Sequence, residues 1–132
     1  PISSARVFRV AFVAIETVLI ALLAVALWWT GRSAWWLALY AWHPLPISEL
    51  AGSGHQDIIG IVLLVASLLS FTMKPARTWL WSVLLALSAM GKPFTLPAGA
   101  MMLRRQPVRE WLKSLCIGAV VGAIALGPFS LF

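Results

Sequence analysis

The chain has 132 residues, of which 61% are hydrophobic and 11% charged, with a formal net charge of +6 and a mean hydropathy of +0.94. A soluble domain of this size cannot hide so much apolar surface, and a disordered chain would hold far fewer Leu, Ile, Val and Trp residues. The basic residues are few and sit between apolar runs, so they are topology signals rather than a nucleic-acid surface.

The expected fold is all-α: a multi-pass transmembrane bundle of about four full spans and one broken short-helix hairpin, forming a single domain over residues 1–132. The first span is Val7 to Trp29, with Arg9 near its start and Glu16 about halfway along. The second runs from Ala34 to about Pro46 and ends at His43-Pro44-Leu45-Pro46, where proline removes a donor and disfavours helix in the preceding residue. The third is Ile58 to about Thr72. The stretch Trp79 to Leu103 is long enough to cross once, but Gly91-Lys92-Pro93 cuts its middle. The last span is about Ser114 to Leu131. Cys116 is the single cysteine, so an intrachain disulfide is excluded.

Basic residues set the expected orientation. Between Ser33 and Met73 there is no Lys or Arg, which puts the loop from 48 to 57 outside and the loops at Arg32 and Lys74–Arg77 in the cytoplasm. A hairpin turning at Gly91-Lys92-Pro93 brings Arg104, Arg105, Arg109 and Lys113 to that same inner side; a single crossing puts them outside. The charge bias selects the hairpin. Trp28, Trp29, Trp35, Trp36, Trp79, Trp81 and Trp111 all flank the inner loops and form the expected aromatic belt. Lys92 then lies in the outer half of the membrane, where irregular backbone must be buried by protein or line a wet cavity.

Three places could carry chemistry. The loop from His43 to Asp57 holds both histidines and two of the four acids, with Gly52 and Gly54 permitting tight backbone turns. His55 and Asp57 suit hydrogen bonding or acid–base work, though Asp57 could equally cap the next helix. Lys92 is a point charge suited to phosphate, or a lysine snorkelling to an interface. Glu16 lies near the bilayer centre at the depth expected for Lys92, and the two are expected to pair. The basic run from Arg104 to Lys113 is a topology anchor that also attracts anionic headgroups. No cofactor is expected, and the loose spacing of two histidines and two acids does not support a divalent metal.

The segment Tyr40-Ala41-Trp42-His43-Pro44-Leu45, followed by Glu49-Leu50-Ala51-Gly52-Ser53-Gly54-His55-Gln56-Asp57, resembles the "NPL…E…GxGHxD" signature of multi-pass glycosyltransferases of the GT-C superfamily. Met90-Gly91-Lys92-Pro93, Pro97 and Arg104-Arg105 are similar to the "KP…P…RR" segment that follows in mannosyltransferase-like members, and Arg9 with Glu16 to the helix that precedes. His43 and Ser53 stand where asparagine is common in the family. The resemblance implies a bacterial plasma-membrane enzyme that transfers a hexose such as mannose from a polyprenyl-phosphate donor to an acceptor on the outer face. It implies substrate binding by His55, Asp57, Glu49 and Lys92, supported by Gly52, Gly54 and Glu16. The general base of such enzymes lies on an acidic outer loop expected upstream of Pro1, so the chain is read as an interior piece, inactive alone. A transporter segment, with ionisable groups in broken helices, and a structural or assembly subunit are the alternatives.

Overall fold

A computed structural model of the chain describes residues 2–44, 57–73 and 77–128. Among them the architecture is all-helical, with helices α1 (Ile2–Trp29), α2 (Trp35–Ala41), α3 (Asp57–Thr72), α4 (Thr78–Gly91), α5 (Leu96–Leu103) and α6 (Val108–Leu126), and a short 3-10 turn over Pro93–Thr95.

Local sequence sets the boundaries. Gly31 ends α1 at φ 64°, a left-handed conformation that glycine reaches without steric cost. The Gly31 N–H donates to the Trp28 carbonyl and the Arg32 N–H to that of Leu27, the paired bonds of a Schellman cap. Lys92 takes φ −150°, ψ 112°, the extended conformation imposed on a residue before proline, and this stops α4. Pro93 opens the 3-10 turn, and Pro97 lies in the first turn of α5, where its missing N–H costs no intrahelical bond. The Lys92 carbonyl is satisfied by the backbone N–H and the hydroxyl of Thr95, at 3.2 and 3.0 Å.

Helix α3 runs antiparallel to α4. Ser67 Oγ donates to the Trp81 carbonyl at 2.8 Å and Ser88 Oγ to the Gly60 carbonyl at 2.7 Å, near opposite ends of the contact. Helix α6 runs parallel to α4: the Thr78 hydroxyl donates to the Glu110 carboxylate, and one turn on Ser82 Oγ donates to Ser114 Oγ at 2.9 Å. Helix α5 returns alongside α4. A Cβ placed on Gly99 would lie 2.7 Å from the Leu85 side chain, so a glycine lets α5 approach α4 closely. At its far end the Leu103 carbonyl accepts from Trp111 Nε1. The chain therefore reverses at Lys92–Thr95, and α4 and α6 begin at the same end of the bundle.

Burial is inverted relative to a soluble domain. Among the described residues the buried hydrophobics are Phe12, Leu19, Ile58, Trp81 and Met102, and as many serines and threonines are buried beside them. Large apolar side chains such as Trp28, Trp35, Leu39, Ile124 and Leu126 stand exposed. The described helices are joined by small residues and cross-helix serine bonds and present many apolar side chains outward.

Length departs from the expected four spans. Among the described residues one helix, over Arg6–Trp29, is long and apolar enough to cross a membrane. Within the stretch predicted from Ala34 to Pro46, helix α2 covers Trp35–Ala41, about 10 Å. Helices α3 and α4, of 16 and 14 residues, reach about 24 and 21 Å against a hydrocarbon core of about 30 Å. Helix α6 starts at Val108 rather than Ser114 and carries Arg109, Glu110 and Lys113 in its first two turns. Trp81 is also corrected. It is 1% exposed and packs edge-on against Phe71, so it is a core residue and not part of an interfacial belt.

Candidate functional site

Two of the predicted site residues meet. Lys92 Nζ lies 2.7 Å from Asp57 Oδ2, with the two side chains 38% and 41% exposed. Asp57 is the first residue of α3, where the helix dipole favours a negative charge. Lys92 caps α4: its N–H still donates to the Ser88 carbonyl at 3.0 Å, while its extended φ and ψ turn the chain out of the helix. Antiparallel packing of α3 on α4 brings the break to the helix start. Gly60, one turn into α3, is within van der Waals reach of the Lys92 stem, with a Cβ there 3.8 Å from its Cβ and Cγ.

The expected pair of Lys92 with Glu16 is not the one formed. Ile58, next to Asp57, shares a core cluster with Phe12 and Leu19, the residues that flank Glu16 on α1. Glu16 instead lies within electrostatic range of the Tyr40 phenol, and Tyr40 packs on that cluster. Hydrophobic periodicity sets how deep a residue sits, but not which neighbour its side chain turns to. Glu49, Gly52, Gly54 and His55 lie outside the described residues. His43 follows α2, and with Trp35, Trp36, Leu39, Trp42 and Pro44 lines an apolar pocket of about 590 Å³.

An ion pair this exposed contributes at most about 1 kcal/mol to stability in water. Both partners remain part-exposed, so the pair is within reach of a ligand. A phosphate could share the Lys92 ammonium, and the Asp57 carboxylate could then accept from sugar hydroxyls.

The opposite end of α4 carries a second charged group. Glu110 accepts from Lys113 Nζ at 2.6 Å and from the Thr78 hydroxyl. These bonds, that to Lys113 first, hold its carboxyl below the usual carboxylate range. Glu110 was not among the predicted site residues, and its role here is to tie α6 to α4. The serines that join the helices, Ser67, Ser82, Ser88 and Ser114, were also unanticipated; their signal was a small polar residue recurring in otherwise apolar helices.

Comparisons with family models, with curated proteins and with solved structures found no match.

Proposed function

We propose that the chain is part of an integral-membrane, multi-pass glycosyltransferase of the GT-C type, which transfers a hexose from a polyprenyl-phosphate donor to an acceptor on the outer face. The observation that carries the reading is the contact of Asp57 with Lys92. It joins the end of the GxGHxD-like element to the lysine-proline element, the two parts of the resemblance that are far apart in sequence. The exposed apolar faces support the membrane setting, and the end-to-end coincidence of Arg77 with Arg104, Arg105 and Arg109 supports a cytoplasmic position for that end.

In this reading Lys92 binds the donor phosphate, and Asp57 keeps the ammonium in place before the donor arrives. The acceptor oxygen attacks the anomeric carbon and its proton passes to a general base. The bond from that carbon to the phosphate oxygen breaks, and the electron pair leaves on polyprenyl phosphate. Lys92 stabilises the charge gathering on the leaving group. His55 and Glu49 bind sugar hydroxyls, with Gly52 and Gly54 shaping the loop and Glu16 supporting it.

The test is sugar transfer by the parent enzyme. His55→Ala and Asp57→Ala should each lower turnover by about tenfold or more at normal protein level, a loss of about 1.4 kcal/mol. Unchanged turnover in both would remove the loop from the active site.

A further inference from the structure

A groove of about 680 Å³ runs between α4, α5 and α6. Leu85 and Ala89 of α4, Leu96 and Ala100 of α5, and Gly118 and Ala119 of α6 line it, so its wall is apolar and smooth. It exists because α5 has only eight residues and leaves the neighbouring helices partly uncovered.

One end of the groove is polar. Trp81 lines it there, and its Nε1–H is buried with no acceptor among the described residues. Ser82 donates to Ser114 at the same end, which leaves the Ser114 hydroxyl proton to be donated onward. Immediately beyond Leu103, also in the lining, the chain presents Arg104 and Arg105, both exposed. The nearby acid does not neutralise them, because Glu110 is engaged by Lys113 and Thr78.

We propose that this groove holds one acyl chain of an anionic phospholipid. Arg104 and Arg105 bind the phosphate headgroup, and the Ser114 hydroxyl donates to an ester oxygen below it. The order of chemistries along the groove is that of the lipid: cationic, then hydrogen-bond donating, then apolar. Basic pockets between membrane helices bind anionic headgroups by the same charge complementarity. This lipid is distinct from the sugar donor, whose phosphate belongs at Lys92, at the opposite end of α4. The inference rests on the membrane setting but not on the glycosyltransferase reading.

Gly118 supplies a clean probe, because a Cβ built there meets nothing within 4 Å. A larger side chain there starts from open space at the groove. The chain is delipidated in detergent and titrated with phosphatidylglycerol or phosphatidylcholine, and bound lipid is counted by native mass spectrometry. The wild-type chain should prefer phosphatidylglycerol by about tenfold. Arg104→Gln with Arg105→Gln should abolish the preference, and Gly118→Phe should abolish binding of both lipids with helix content unchanged. A photoreactive benzophenone side chain at position 118 gives a second readout and should crosslink to lipid. Equal binding of the two lipids by the wild type, undiminished binding in folded Gly118→Phe, or crosslinking of position 118 to a protein helix would each overturn the proposal. Integration of the chain into vesicles, measured separately by resistance to alkaline extraction, reports on the membrane setting alone.

Discussion

Ser88 donates its hydroxyl proton to the Gly60 carbonyl at 2.7 Å, one turn from the point where Lys92 meets Asp57. The bond ties the end of α4 to the start of α3, and Ser88 is fully buried. It therefore fixes the separation of the helix ends that carry the ion pair.

Replacing Ser88 by alanine should cost about 0.6 kcal/mol, the usual size of a cross-helix hydrogen bond in lipid, with an upper bound near 1.7 kcal/mol. The loss is small because the Gly60 carbonyl keeps its own place in the α3 ladder. Unfolding in mixed micelles checks the value. A loss above about 3 kcal/mol would mean that Ser88 carries more of the α3–α4 contact than one bond.

The reversal at Lys92 has a direct geometric consequence. Arg77, before α4, and Arg105, after α5, lie at the same end of the bundle. Cysteines placed at these two positions in a Cys116→Ser background should react with a membrane-impermeant reagent from the same face. Labelling from opposite faces would show that residues 78–103 cross once, against the close approach of α5 to α4 at Gly99 and Leu85.

Acid should loosen the other end of the bundle. The Glu110 carboxyl is held below its ordinary range in the folded chain, so the unfolded chain binds the proton more readily. The stabilisation from this group is complete above the ordinary glutamate value of about 4.3 and disappears as the pH falls through the lowered folded value. Glu110→Gln should therefore be less stable at neutral pH and lose less on acidification than the wild type. Thermal midpoints of the two chains across that window make the comparison, and parallel curves would contradict it.

The helical class was legible because long apolar runs are punctuated by Gly31, Pro44 and the Lys92–Pro93 break. The reversal was legible through the placement of Arg77, Arg104 and Arg105, which charge bias assigns to one side. Helix lengths were less so: Pro44 and the break at Lys92 shorten α2 and α4 more than window hydropathy registers. Trp81 was misread because proximity to a loop in sequence is not exposure; one turn into α4 it already faces Phe71. The partner of Lys92 depended on the azimuth of α3 against α4, which Ser67 and Ser88 set through bonds to backbone carbonyls. Hydropathy scores those serines as mild interruptions and carries no information about the carbonyls they meet.

The central claim is that Lys92 serves the donor phosphate and not only Asp57. Exchanging the charges, Asp57→Lys with Lys92→Asp, separates the two roles. Each single change leaves two like charges facing one another, whereas the exchange restores an opposite pair at the same place. Donor affinity and thermal midpoint are measured for both single variants, the exchanged variant and the wild-type protein. The exchange should recover part of the thermal midpoint lost in the single variants, the α3 dipole opposing a lysine at the helix start, while binding of polyprenyl-phosphate sugar stays lost, because the ammonium has moved from the break to the helix start. Recovery of donor affinity together with the midpoint would contradict the claim, and would leave the Asp57–Lys92 contact as a structural pair alone.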